Sequence, residues 1–138
     1  MLKIELKNLT AKRIPPIRLL KKATGKALKS LGITGGELGI VFVTDSGIKR
    51  LNRKYKKKNE ATDVLAFDTV PLGDIAVSVD RAEKNARRFK TSRDKEICLY
   101  IIHGILHLVG YRDGTPKERR RMEKKQNKIF KDVWSSIA

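Results

Sequence analysis

Residues 97–110 read Ile97-Cys98-Leu99-Tyr100-Ile101-Ile102-His103-Gly104-Ile105-Leu106-His107-Leu108-Val109-Gly110. This run is apolar on nearly every side of a helical wheel, and a helix of that kind belongs in the middle of a core rather than on its surface. Thr91 and Asp94 upstream have capping-box spacing, with Asp where Glu or Gln is usual, and Gly110 is a helix stop. The run before His103 is far too short to span a bilayer. A helix ending at Val109 is therefore predicted as the centre around which other elements pack.

Those elements are legible on either side. Leu2, Ile4 and Leu6 alternate with Lys3, Glu5 and Lys7, the period of a strand over residues 2–9 with one wet face. Pro15 and Pro16 precede an amphipathic helix from Ile17 to Leu31, stopped by Gly32. Residues 37–43 read as a central strand, after which Thr44 or Asp45 caps a short helix reaching about Tyr55. Residues 64–70 and 74–79 read as two further strands joined across Pro71, Leu72 and Gly73 as a hairpin, with Asp80 capping the next helix. Thr115, Pro116 and Glu118 supply the N-cap, N1 and N3 residues of a last helix ending near Trp134. The expectation is one α+β domain over residues 1–138, with a mixed sheet of about four strands, packed helices and a central buried helix.

Composition bounds the chemistry. Lys and Arg number 32 against 15 Asp and Glu, a net charge of +17, which suits a polyanionic partner. A hydrophobic content of 40% separates the chain from a disordered basic tail. Cys98 is the only cysteine, so an intramolecular disulfide and a cysteine-cluster zinc site are both excluded. Charges occupy the N-terminal stretch where a secretory signal would be apolar, so a cytoplasmic location without membrane attachment is expected.

The two histidines of the chain are His103 and His107. Side chains four apart on a helix share a face, so the two rings can converge on one ion. Gly110 tolerates the positive φ that turns the chain back, and Asp113 then arrives as a third ligand. Two imidazoles and a carboxylate suit Zn²⁺, one per chain, and three protein ligands leave a fourth position for water. The same spacing occurs in metzincin proteases, where the residue after the first His is the Glu that serves as general base. Here that residue is Gly104, which counts against a zinc peptidase.

With these residues in hand the chain resembles the YbeY family of bacterial endoribonucleases, zinc-dependent proteins linked to ribosomal RNA maturation and ribosome quality control. The resemblance also covers Leu51-Asn52 with Tyr55, the block Thr62 to Phe67, the block Leu72 to Ile75, and His103 to Tyr111. It implies a single-strand-specific endoribonuclease acting at the 3′ end of small-subunit ribosomal RNA, with RNA or the small subunit as partner and a monomeric chain. A non-enzymatic ribosome-assembly factor with a structural metal is the other reading. The family's third zinc ligand is a histidine where this sequence has Asp113. Its active-site arginine corresponds to Lys56, which contacts phosphate as a point charge without bidentate geometry. Ala66 replaces a serine, Asn59 an aspartate, and Gln126 an acidic residue.

Lys49, Arg50, Arg53, Lys54, Lys56, Lys57 and Lys58 form a basic run with no acid between them, expected to hold the RNA backbone with Lys56 nearest the chemistry. Thr62 and Asp63 either line the cleft or shape its turn, and Tyr111 either positions substrate or packs. Asp74 opens a strand and reads as structural, and Cys98 as core. The charges of the last helix are mixed, so part of that face is ordinary solvated surface. With aromatics at 6% and no RNA-recognition sheet motif, binding should be mostly electrostatic.

Exchanging a neutral imidazole for the Asp113 carboxylate leaves less net positive charge on a metal, making its bound water a weaker acid. An Asp113→His variant is therefore expected to shift the acidic limb of the pH–activity profile downward. An unchanged or upward-shifted limb would contradict this.

Overall fold

A computed structural model of the chain describes residues 2–58, 60, 62–67 and 72–137. β1 (Leu2–Asn8) shows the alternation of its sequence: Leu2, Ile4 and Leu6 turn inward while Lys3, Glu5 and Lys7 stay exposed. α1 (Ile17–Ser30) follows Pro16 and carries the chain back, so that β2 (Gly36–Val43) pairs parallel to β1. A parallel pair needs such a crossover. α2 (Asp45–Leu51) is capped by Thr44, whose hydroxyl accepts the Gly47 N–H at 3.2 Å.

The short helix expected to reach Tyr55 changes character first. Residues Asn52–Lys56 form a π turn, ended by Lys57 at φ 56°. The buried Asn52 amide donates to the Glu60 carbonyl at 3.0 Å, fastening the turn to the chain that returns beneath it. β3 (Val64–Phe67) pairs antiparallel with β4 (Gly73–Ser78), as expected of a hairpin. The remainder of the expected strand over 64–70, Pro71 of its turn, and Asn59 lie outside the described residues. β4 also pairs parallel to β2, giving a mixed four-stranded sheet in the order β1-β2-β4-β3.

Two caps fall on other residues than expected. α3 (Val79–Phe89) is capped by Ser78, whose hydroxyl accepts from the Arg81 N–H at 3.2 Å. Ser78 ends its strand with extended geometry, leaving Asp80 already inside the first turn. Asp80 instead accepts the Asp45 N–H and pairs with Lys12, both at 2.7 Å; Lys12 first and that N–H second hold its carboxyl below the usual range. α4 (Arg93–Leu108) is capped by Ser92, not Thr91. The Thr91 hydroxyl is committed to Glu96 at 2.9 Å. α5 (Pro116–Ile137) starts as expected, with the Glu118 N–H on the Thr115 hydroxyl at 3.1 Å, and runs three residues past Trp134.

α4 is the centre of the fold. Ile97, Ile101, Ile102, Ile105 and Leu106 are buried, with the sheet on one side and α1, α3 and α5 on the others. Cys98 is core as expected, and burial pushes its thiol up to about 12. The helix sits close to β4 at two glycines. A Cβ on Gly104 would lie 2.9–3.1 Å from three side-chain carbons of Ile75, and one on Gly73 would meet the Leu108 side chain and the Phe67 carbonyl at 2.6–2.9 Å.

Gly104→Val forces this contact apart. The expected cost is about 1–3 kcal/mol, seen as a fall in Tm of roughly 3–12 °C. A Tm equal to that of the parent would mean that Ile75 yields without loss.

Candidate metal centre

α4 delivers both imidazoles to one face, and the turn after it delivers the carboxylate. Gly110 adopts φ 102°, and the Tyr111 N–H returns to the Leu106 carbonyl at 2.9 Å, so the chain reverses within a few residues and brings Asp113 back. The Nε2 atoms of His103 and His107 face each other at 3.1 Å, and His107 Nε2 lies 3.5 Å from Asp113 Oδ2. One ligand atom from each of the three residues falls within 4.8 Å of the others.

Two of the three separations fit an ion directly, while the third, between His103 and Asp113, is longer but within 4.8 Å. Two donors about 2.0–2.1 Å from a tetrahedral Zn²⁺ are roughly 3.3 Å apart, a value bracketed by the 3.1 and 3.5 Å observed. The hydrogen bonds behind the rings point the same way. His103 Nδ1 lies 2.7 Å from the amide oxygen of Gln126 on α5. A carbonyl oxygen only accepts, so Nδ1 donates in this contact, which leaves Nε2 as the ring nitrogen turned to His107 and available as a ligand atom. Burial, then the neighbouring His103, lower the His107 pKa against the pull of Asp113 and the Tyr111 backbone; Lys56 lowers it a little further. His107 is therefore neutral at neutral pH, the form that coordinates a metal.

Two clefts adjoin the cluster. The first, about 410 Å³, is lined by His107, Lys56, Ala66, Tyr111 and Arg112 among others. Lys56 thus shares this cleft with His107. Arg50, Arg53, Lys54, Lys57 and Lys58 are exposed on α2 and the turn after it and line neither cleft. Tyr111 packs at the edge of the core and also walls the cleft, with Arg121 over its ring at 5.8 Å. Ala66, where the family resemblance has serine, is in the same wall.

The second cleft, about 340 Å³, opens past His103 and Asp113 between α3, α4 and α5. Asp63 lines it, whereas Thr62 does not. The Thr62 hydroxyl lies 3.3 Å from the Asp63 carboxylate, which also accepts the Val64 N–H at 2.8 Å, so Thr62 shapes the turn that holds Asp63. Asp74 opens β4, away from both clefts.

Gln126 and Arg112 are the residues sequence reasoning passed over. Gln126 stood out only as a departure from the family pattern, because its partner is 23 residues away on another helix. Arg112 had a signal, its place between Tyr111 and Asp113 in the metal turn. Arg119 on α5 braces that turn from outside, its guanidinium donating to the Asp113 carbonyl at 3.4 Å.

The profile of a family described as Endoribonuclease YbeY matches residues 5–134. A relative from Endomicrobium trichonymphae, named Endoribonuclease YbeY, is 37% identical over 134 residues, covering 95% of this chain and 93% of its own. Another of that name from Geobacter metallireducens is 36% identical over 124 residues, covering 80% and 82%. A Thermotoga maritima protein solved in solution superposes with a TM-score of 0.68 at 30% identity, over 99% of this chain and 91% of that one.

Loss of the Gln126 contact frees the His103 ring. Gln126→Ala is expected to weaken Zn²⁺ binding by about 10–100-fold, measured by competition with a chromophoric chelator. An affinity equal to that of the parent would show that the amide does not orient the ligand.

Proposed function

Because this chain belongs to the YbeY family of endoribonucleases, we propose that it is a zinc-dependent endoribonuclease that cuts single-stranded RNA, with the 3′ end of small-subunit ribosomal RNA and ribosome quality control as its setting. The observation that carries this reading is the convergence of His103, His107 and Asp113 beside a cleft walled by Lys56 and Arg112. A metal site next to two cations is what a phosphodiester needs at the point of cleavage.

His103, His107 and Asp113 would hold the Zn²⁺, which when bound supplies a Lewis acid and an acidified water. The rest falls to the protein. Lys56 and Arg112 neutralise and align the phosphate, Arg112 with the geometry to grip two oxygens and Lys56 as a point charge. Gln126 holds the His103 ring in register. The exposed cations of α2 and the following turn attract the backbone from a distance, in a strongly salt-dependent way.

The peptidase alternative loses its footing at Gly104. That position packs on Ile75, leaving no room for the side chain a peptidase would use as base. The buried, unreactive thiol of Cys98 fits a reducing compartment, and the proposal includes a monomer at work in the cytoplasm. No helix among the described residues is long and apolar enough to cross a membrane.

Metal content and cleavage of single-stranded RNA test the reading in protein freed of copurifying nuclease. His107→Ala is expected to lose both together. Lys56→Ala should lower kcat/KM by about 10–100-fold at fixed salt, the size of one charge-assisted hydrogen bond, and Lys57→Ala by no more than about twofold. Cleavage that survives His107→Ala while metal is lost would remove the site from the chemistry, and RNA binding that survives loss of both histidines with no detectable cleavage would favour the assembly-factor reading. Equal, small effects at Lys56 and Lys57 would remove the special role of Lys56.

A further inference from the structure

The two clefts beside the metal cluster carry opposite chemistry. The Lys56 side is cationic, whereas the cleft between α3, α4 and α5 sets the carboxylates of Asp63, Glu96 and Glu123 against one guanidinium, that of Arg119, with the amide of Asn85 beside them. In a chain of net charge +17 such a lining repels phosphate, but it accepts hydrogen bonds from N–H groups. At about 340 Å³ the cleft falls within the ~300–1,000 Å³ typical of small-molecule sites.

Its polar groups are held in place. Glu96 is 6% exposed and receives the Thr91 hydroxyl at 2.9 Å. No other hydrogen bond reaches its side chain among the described residues, and a carboxylate has about four acceptor sites, so this residue of the cleft wall keeps most of its acceptor capacity unspent. The Asn85 amide donates to the Tyr100 hydroxyl at 2.6 Å, and that hydroxyl lies 3.4 Å from the Arg81 carbonyl. Asn85 is thereby fixed with its amide oxygen unspent. In the same wall stands Phe89, 58% exposed, a large apolar ring with no core to justify it.

We infer that this cleft is a nucleobase subsite and that guanine is the base it selects. The inference rests on the ribonuclease reading and adds to it the base that flanks the cut. Single-stranded RNA is read by splaying bases out onto aromatic rings and bonding their Watson–Crick edges. Guanine presents two adjacent donors there, N1–H and the 2-amino group, which match the two oxygens of a carboxylate. Uracil offers one N–H between two carbonyls, while adenine and cytosine set an amino group beside a bare ring nitrogen. Each of these three turns a lone pair toward Glu96. The base packs along Phe89, and its phosphate is directed toward the metal cluster and Lys56.

Binding and cutting are measured separately. A short all-uridine strand and the same strand with one guanosine are titrated by fluorescence anisotropy at roughly 0.5 M salt, where phosphate contacts are damped. The guanosine strand is expected to bind about tenfold tighter or more. Glu96→Gln keeps an acceptor for Thr91 while replacing the other oxygen by a donor, so it should bring the guanosine strand down to the all-uridine level. Its melting curve checks the fold. Phe89→Ala, an exposed change, should weaken the guanosine strand by about fivefold or more.

Cleavage ends are then mapped on a randomised single strand. Equal affinity for the two strands, or a guanosine advantage that survives Glu96→Gln, overturns the inference, and cleavage without base preference would then leave the ribonuclease reading standing. A guanosine advantage lost in Glu96→Gln, in a protein that cuts nothing, keeps the subsite and removes the ribonuclease.

Discussion

The contact between α4 and β4 is the constraint on which the rest of the molecule depends. Gly104 lets the helix backbone rest on Ile75, and Gly73 lets the strand rest under Leu108. With the helix that low, its apolar residues are covered from below by the sheet and from the sides by α1, α3 and α5. The face that carries His103 and His107 is the part left near the surface. Interiors pack at crystal-like density and do not deform smoothly, so the seating of this helix sets where the imidazoles stand. The candidate metal centre takes its placement from a contact that contains none of its three residues.

From that seating follows the division of labour around the cluster. α4 supplies two imidazoles, one oriented by Gln126 and the other kept uncharged chiefly by burial. The turn at Gly110 supplies the carboxylate. Lys56 comes from the far side, carried by a π turn whose extra residue widens the helix just before the chain leaves it. π turns occur often at functional sites because they re-aim side chains that a regular helix would stack elsewhere. Here the residue that ends the turn and lines the cleft is Lys56.

Much of this was legible in the sequence, and the reasons differ by element. The buried helix, the histidine pair and the glycine turn announce themselves by spacing, because helix geometry is local. The last helix does the same through Thr115, Pro116 and Glu118. The caps are Ser78 and Ser92 rather than the Asp80 and Thr91 that the sequence pattern favours, since several good capping residues stand together and tertiary bonds decide among them. Asp80 was claimed by Lys12 and the Asp45 N–H, and Thr91 by Glu96. Gln126 was beyond reach for another reason. Its role exists only once α4 and α5 lie side by side, which no local pattern encodes.

Cys98 sits little more than one turn before His103, sealed in the core with its thiol pushed up to about 12. At neutral pH it is a thiol rather than a thiolate, and alkylating reagents act on the thiolate. The native protein is therefore silent toward such reagents, and labelling must wait for α4 to leave its bed. Under conditions where reclosure outruns the reagent, the labelling rate reports the free energy of that opening. The chain carries its own clock for the integrity of the helix that holds its chemistry.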